Sequence, residues 1–527
     1  MFGKPRLIFY IFLGLTVILG MAVAFWAPQW LWLWCMLPVL AAVGAWDLNS
    51  TSNVLRNYPI IGHLRYLFEF IRPEMRQYFF ESDISGRPFN RAQRDIVNSR
   101  ARGQGSTSPF GTRRDMEDTG FHFVQHSMAP KTVHIRHARL TIGNAQCSQP
   151  YDSSRLNISA MSFGALSGNA VAAMNKGAKL GGFAQDTGEG AISPYHEAHG
   201  GDLIWEIASA YFGCRNDDGS FNAERFEHKA RRDQVKMIEL KLSQGAKPGH
   251  GGLLPGTKVN REIASTREIP IGKDCASPGT HPEFDSPAGM LRFLQRLRDL
   301  SGGKPVGFKL CVGRRHEFMA VCKAMLDTGI VPDFITVDGA EGGTGAAPTE
   351  FSDFIGTYIN EALPFVHNCL RGIGKRDDIT VIASGKVAMG FDMVEKVALG
   401  ADMCNAARPF MFSVGCIQAL RCHTNTCPTG VATQDPARSR SLDVDTKADR
   451  VHNYHKATIA SFMDIVGTLG LESPDALGPQ HIFRRSQKGP SRPCTFLHPQ
   501  VDSGAFLRDD VPVEYADAWQ LAHADHF

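Results

Sequence analysis

Asp333-Phe-Ile-Thr-Val337-Asp338-Gly339-Ala-Glu-Gly342-Gly343-Thr344-Gly345 is a short apolar run that breaks abruptly into acids and glycines. The run has the length of a buried strand, and the glycines after it end the strand. The same pattern recurs from about residue 130 onward. Candidate strands are Leu156–Ala160, Phe183–Asp186, Leu203–Ala208, Met237–Leu242, Val306–Leu310, Asp333–Val337, Thr380–Ala383 and Met403–Ala406. Helical spacing lies between several of them, as in Glu317–Leu326 and Asp392–Leu399. Repeated βα units predict an α/β protein with a parallel sheet. The chemically unusual residues follow the strands: Met161-Ser162, Thr187-Gly188-Glu189, Ser243-Gln244-Gly245, Asp338-Gly339, Ser384-Gly385 and Asn405-Ala406. A (β/α)8 TIM barrel builds its site at those carboxyl ends, so the barrel is expected; a doubly wound open sheet is the alternative.

Glycine-rich turns let backbone N–H groups surround a phosphate or a flat ring. Such turns follow the sixth, seventh and eighth strands, as Gly339–Gly345, Ser384-Gly385-Lys386 and Asn405-Ala406-Ala407-Arg408. Barrels often bind phosphate there, which points to a phosphorylated cofactor. Lys247 sits between glycine-rich turns in Gln244-Gly-Ala-Lys247-Pro-Gly-His250, where it can reach an anion or remain a solvated loop lysine. Lys309 interrupts an apolar strand, and a buried lysine needs a partner, here expected to be an anionic cofactor. Glu189, between two glycines, reads as an acid/base, an orienting carboxylate or a surface residue.

Cys416, Cys422 and Cys427 stand within twelve residues, the last followed by proline. Soft thiolates at short spacing suit a metal, and three ligands fit an iron–sulfur cluster better than structural zinc. Ordinary buried cysteines are the plainer alternative. The chain holds 12 cysteines scattered over 527 residues, unlike a secreted disulfide framework, so a reducing compartment is expected. A formal charge of +3 gives no sign of nucleic-acid binding.

The N-terminus belongs to another solvent. Leu7 to Trp26 carries no charge and is long enough to span a bilayer. Trp30 to Trp46 is a second uncharged run, with Ala27-Pro28-Gln29 as the turn and Trp26, Trp30, Trp32 and Trp34 as interfacial aromatics. Lys4 and Arg6 precede the hairpin; Arg56, Arg65, Arg72 and Arg76 follow it. Both termini and the catalytic domain are then expected in the cytoplasm of a two-span cell-membrane protein. A signal peptide cut near Ala22-Val23-Ala24 is the competing reading. After Pro59, apolar residues Ile60, Ile61, Leu64, Leu67, Phe68 and Ile71 recur at helical spacing, a helix for the membrane surface or for the soluble domain. Arg100 to Arg114 reads as a linker or an exposed loop. The expected organisation is a transmembrane hairpin over 1–50, a helical and linker region over 51–129, the barrel with its iron–sulfur site over 130–480, and a tail packed on the barrel over 481–527.

Taken together, Met161-Ser-Phe-Gly-Ala-Leu-Ser167, Asp186-Thr-Gly-Glu-Gly190, Gln244-Gly-Ala-Lys-Pro-Gly249, Glu341-Gly-Gly-Thr-Gly-Ala346 and Cys416-x5-Cys422-x4-Cys427-Pro-Thr-Gly resemble the FMN-binding synthase domain of glutamate synthases. The likeness spans about residues 150 to 440, and the whole chain resembles the membrane-tethered, stand-alone bacterial proteins of that family. The resemblance implies FMN and a 3Fe-4S cluster on Cys416, Cys422 and Cys427. It implies that Gln244, Lys247 and Arg267 hold the carboxylates of 2-oxoglutarate or a related keto acid, as Lys and Arg suit acidic groups. It gives Glu189 an orienting or proton-transfer role, and it puts Met161, Ser162, Lys309, Gly343, Thr344 and Gly385 on FMN. The implied product is glutamate, by reduction of 2-iminoglutarate.

Three departures carry consequences. Membrane spans stand where the large family members carry a glutaminase domain, so ammonia is expected free or from a partner. No dinucleotide fingerprint is seen, so an external donor, ferredoxin-like or membrane-associated, is expected. His250 replaces the family's usual Glu and Leu253 a usual Gln, which keeps open another amine or keto acid, for instance in N-substituted glutamate synthesis. A flavin-bearing electron-transfer or sensing module is the reading from another class.

Overall fold

The computed structural model describes residues 4–26, 28–30, 36–105, 107–508 and 510–527. The chain divides after Gly86 into a small N-terminal unit and a large unit from Arg87 onward.

In the small unit, Lys4–Trp26 is one helix, and its Leu7–Trp26 stretch is apolar and long enough to cross a membrane. Thr16 donates its hydroxyl to Phe12 O at 2.7 Å, so the polar side chain is satisfied within the helix. The second expected span corresponds to the helix Met36–Leu48, which has 13 residues. At 1.5 Å per residue that is about 20 Å, short of a bilayer core by itself. Trp32, Trp34 and Ala27 lie outside the described residues. The two helices touch where the Phe9 ring lies over Gly44, against the space a Cβ there would need. Asp47, fully buried, accepts from Ile60 N at 2.8 Å and faces His63 Nε2 at 2.8 Å, fastening the turn into the next helix. That helix, Gly62–Met75, leaves Leu64, Leu67, Phe68 and Phe70 exposed.

In the large unit, eight parallel strands close into a barrel. They are β1 (Leu156–Ile158), β2 (Gln185–Asp186), β3 (Leu203–Ile207), β4 (Val235–Lys241), β5 (Val306–Leu310), β6 (Phe334–Asp338), β7 (Thr380–Ser384) and β8 (Met403–Ala406). Each overlaps its expected run; closure through Cys404 opposite Leu156 excludes the open sheet. Helices cover the outside, where Gly177 lets Gly168–Gly181 approach Ala448 and Val451 of the helix Val444–Thr468.

The barrel interior has two different layers. Its floor is apolar: Ile204, Met237, Phe334, Ile382 and Met403, closed below by Ile142 and Tyr151 of the hairpin Arg139–Ile142/Tyr151–Ser154. Gly307 on β5 leaves room for the Phe334 ring. Two residues further along, where the period of a strand returns to the same face, the layer is polar: Asp186, Glu206, Glu239, Thr336, Ser384 and Asn405, all buried. Ser159 on the loop after β1 meets Ser384 of β7 at 3.2 Å, and Thr336 of β6 donates to Glu239 of β4 at 2.5 Å, so these side chains meet across the interior.

The reading of Arg100 to Arg114 as a linker needs correction at its start. The helix Arg91–Ala101, begun by an Asn90/Gln93 capping box, runs through Arg100, which is buried and donates to Thr458 Oγ1 at 3.2 Å. The carbon stem of an arginine packs readily under a helix, which polarity along the sequence does not reveal. The C-terminal residues pack within the large unit: Ile482–Arg484 pairs with the strand His122–Val124, and the Trp519 ring lies 4.8 Å from Nζ of Lys323 on the helix Arg315–Thr328.

Candidate active site

The carboxyl ends of the strands bring together residues far apart in sequence. The loop after β2 turns at Gly188, whose φ of +65° and close approach to the Met161-Ser162 backbone leave no room for a side chain. That turn presents Glu189. From the end of β4, Lys241 Nζ reaches Glu189 Oε2 at 3.0 Å and Gln244 Oε1 at 2.6 Å. Burial pushes the Glu189 carboxyl up, but Lys241, Arg267 and Lys247 outweigh it and hold the carboxyl below its ordinary range. Glu189 is therefore a carboxylate at neutral pH. Gly252 rests against it, and a Cβ there would run into the carboxylate.

Lys247 is 4% exposed, and burial pulls its ammonium below the ordinary range while Glu189 pushes it back up. Among the described residues its Nζ has no hydrogen-bond or ion-pair partner in the protein. Arg267, closing the helix Arg261–Arg267, stands beside Ser162: Nη2 donates to Ser162 Oγ at 3.2 Å and to Phe163 O at 2.9 Å. Its guanidinium stacks 5.4 Å over the Phe212 ring, and its buried Nε has no partner. Arg267 thus binds the loop after β1 firmly and keeps its Nε–H unused among the described residues.

Lys309 finds its anions within the barrel, where an anionic cofactor was the expectation. Its ammonium pairs with Glu206 and lies 3.2 Å from Glu239 Oε1. Burial lowers its proton affinity, but Glu206, Glu239 and Asp186 overcome that and raise it. Burial, then the neighbouring carboxylates Glu239 and Glu206, pushes the Asp186 carboxyl well up, while Lys309 pulls it back. The three acids were not singled out from the sequence. The signal was present, since Glu206 and Glu239 interrupt apolar strands as Lys309 does.

The phosphate-type loops converge at the ends of β6, β7 and β8. Gly343 lies against Arg408, whose Nη2 donates to Glu341 O at 2.9 Å. Gly385 faces the Glu341 side chain, and Lys386 follows with a φ of +49°. Burial lowers the proton affinity of both Arg408 and Lys386, and the two cations also face each other. Thr344 lies beside Gly343 in the same loop. Among the described residues, Asn405 Oδ1, buried on β8, has no hydrogen-bond partner.

The cysteine loop follows β8. It is bent by left-handed residues at Gln418, Leu420 and Asn425, and clamped by Gln418, which accepts from Phe89 N at 3.1 Å and donates to Phe89 O at 3.0 Å. Burial pushes the Cys416 thiol up to about 12, with Cys422 and Cys427 adding to the rise. Cys427 behaves oppositely: burial is outweighed by hydrogen bonds from Ala432, Thr429 and Val431, which pull it down. Cys422 and Cys427 thus stand close enough for their charge to reach Cys416. Gln434 ties this loop to the one after β1, donating to Leu166 O at 2.7 Å and Gly164 O at 3.1 Å.

Residues 113–472 match the family described as a conserved region in glutamate synthase. The chain is 38% identical over 484 residues to the "Glutamate synthase large subunit-like protein YerD" of Bacillus subtilis, covering 84% of this chain and 92% of that protein. It is 34% identical over 359 residues to an archaeal glutamate synthase (NADPH) of Methanocaldococcus jannaschii, covering 68% of this chain and 66% of that protein. A crystal structure of mandelate oxidase aligns at 15% identity over 68% of this chain and 85% of its own, with a TM-score of 0.39.

Proposed function

Because the chain belongs to the glutamate synthase family, we propose that it is a membrane-anchored FMN and iron–sulfur oxidoreductase that makes glutamate from 2-oxoglutarate and ammonia. The observation that carries this reading is Lys247: a side chain 4% exposed whose ammonium, among the described residues, has no protein partner and lies close enough to Glu189 to feel its charge. A buried cation without an anion is costly, and a substrate carboxylate would complete it.

The residues fit the two groups. For FMN, Arg408 and Lys386 offer two crowded cations at the barrel's usual phosphate position, and Gly343 and Gly385 keep the backbone open beside them. Met161, Ser162 and Thr344 would line the ring and its chain, with the orphaned Asn405 Oδ1 as a further acceptor. Lys309 would act from below, its ammonium held in place by Glu206 and Glu239. Cys416, Cys422 and Cys427 would hold a 3Fe-4S cluster, with the Cys427 thiolate favoured by backbone N–H donors. When bound, FMN would supply hydride transfer and the cluster single-electron transfer.

The chain's own residues do the rest. Lys247 and Gln244 hold the keto acid's carboxylates; Arg267 contributes its spare Nε and fixes Ser162. Glu189, kept ionised by Lys241, accepts hydrogen bonds from the nitrogen that joins the keto carbon and steadies its developing positive charge. The stretch around Gly252 lies on Glu189 and excludes water from it. Ammonia enters free or from a partner, and a ferredoxin-like or membrane-associated donor supplies electrons. Leu7–Trp26 anchors the chain, and the following short helix completes a hairpin that leaves both termini and the barrel in the cytoplasm. The exposed Leu64, Leu67 and Phe68 suit the headgroup boundary.

Anaerobic purification in detergent, with a visible spectrum, tests flavin and iron together. Reduced protein mixed with 2-oxoglutarate and ammonia should reoxidise and yield glutamate; a colourless protein, or reduced flavin that persists, would sink the reading.

Two residues favour a second substrate class. His250 packs edge-on against Phe351 at 4.3 Å, and Leu253 is 48% exposed on the hairpin that follows. Both make the covering loop more apolar than an acidic substrate alone needs. A panel of keto acids and amines presented to reduced protein decides it: faster reoxidation by a substituted amine than by ammonia would assign N-substituted glutamate synthesis.

A further inference from the structure

Lys258 is 2% exposed and sits in the turn Gly256–Lys258, directly after the hairpin strand Leu253–Leu254 of the insert beyond β4. Its Nζ donates to Cys422 O at 2.7 Å, Ala165 O at 3.4 Å and Ala432 O at 3.4 Å. Three carbonyls use three N–H donors, which is the full set of an ammonium. Among the described residues this lysine forms no ion pair with a carboxylate. Lysine is almost never so buried without a counter-charge. Burial lowers the proton affinity of its ammonium, and the neighbouring sulfurs of Cys422 and Cys427 push it back up. Its acceptors also have a pattern: Cys422 and Ala432 belong to the cysteine loop, and Ala165 to the loop that carries Ser162.

We infer that Lys258 is the built-in counter-charge of the iron–sulfur centre, setting its reduction potential and pinning the cysteine loop against the loop after β1. This rests on the reading of Cys416, Cys422 and Cys427 as cluster ligands. Reduction adds one negative charge to the cluster, and an adjacent ammonium in a dry setting stabilises that charge more than the oxidised state. Lys258 is a positioning residue, since it acts through the cluster.

The full chain in detergent and its Lys258→Met, Lys258→Gln and Lys258→Arg variants are purified anaerobically. Iron and acid-labile sulfide, FMN content, and the potential from an EPR-monitored redox titration are measured. Absence of iron in the unsubstituted protein would refute the cluster reading itself. With iron present, Lys258→Met and Lys258→Gln should lower the potential by at least tenfold in the one-electron equilibrium, about 59 mV, and Lys258→Arg should stay near the original value. If both neutral variants bind FMN but no iron while Lys258→Arg binds both, the counter-charge is upheld as a condition of assembly. Neutral variants that keep the cluster at an unchanged potential, or a Lys258→Arg variant that behaves like them, would overturn the inference.

Discussion

The ammonium of Lys241 lies 3.0 Å from Glu189 Oε2, and this one contact joins the end of β4 to the turn after β2. It keeps Glu189 ionised against its own burial. Because the Glu189 carboxyl is held low, its ionised form is present above the ordinary carboxylate range and is lost only in stronger acid. Lys241→Met removes the largest downward influence, so the acidic limb of kcat/KM should move to higher pH. FMN content should be unchanged. A pH profile that does not move would show that Glu189 ionisation is not required for turnover.

Lys247→Ala removes a charged donor from the substrate carboxylate. Hydrogen bonds to charged groups contribute about 1.5–3 kcal/mol, so kcat/KM for the keto acid should fall by roughly 10- to 100-fold. The flavin spectrum should stay, since Arg408 and Lys386, not Lys247, are the cations proposed for the phosphate. Steady-state kinetics with a flavin titration checks both; loss of flavin together with activity would reassign Lys247 to cofactor binding.

Asp333 opens the strand on which the barrel reading turned. Its carboxylate is 1% exposed, 3.0 Å from Arg298 Nη2, and accepts from Asn144 N at 2.9 Å and Val306 N at 2.8 Å. Removing one partner of a buried pair leaves the other uncompensated, at a cost of about 3–5 kcal/mol. Asp333→Ala should lower the denaturant midpoint sharply, and Asp333→Asn less so. An unchanged midpoint would mean that Arg298 finds another acceptor.

Glu395 pairs with both His122 and Lys396, tying the strand His122–Val124 to the helix after β7. Burial pushes its carboxyl up, but Lys396 and His122 hold it down at about 2, below an ordinary 4.5. A depressed carboxyl stabilises the fold above its unfolded value and loses that contribution as pH falls from about 4.5 to about 2, a span on the order of 3 kcal/mol. Lys396→Met should lower Tm most above pH 4.5, with the difference from the unsubstituted protein shrinking toward pH 2. A difference independent of pH would refute the linkage.

Anchoring has its own test. The full chain should remain with membranes through high-salt and alkaline washes, and deletion of residues 1–50 should release it. Persistent membrane association of the shortened chain would place binding on the exposed face of Gly62–Met75.

The sequence by itself determined the strand positions, because apolar runs ended by glycine and acid are local facts of backbone and solvation. It also marked which loops gather unusual residues, since those residues are unusual wherever they lie. The apolar stretch Leu7–Trp26 is legible for the same reason, because its length and composition need no partner to be read. What only tertiary structure decided is which charges meet. Glu206, Glu239 and Asp186 reach Lys309 across the barrel because the strand period turns them onto one interior face, and their separation in sequence hides it. Lys258, unremarkable in a glycine-rich loop, becomes an enclosed ammonium under the cysteines only when the insert after β4 folds over them. Electrostatic partnership depends on distance and burial, and both are made by the closure of the barrel.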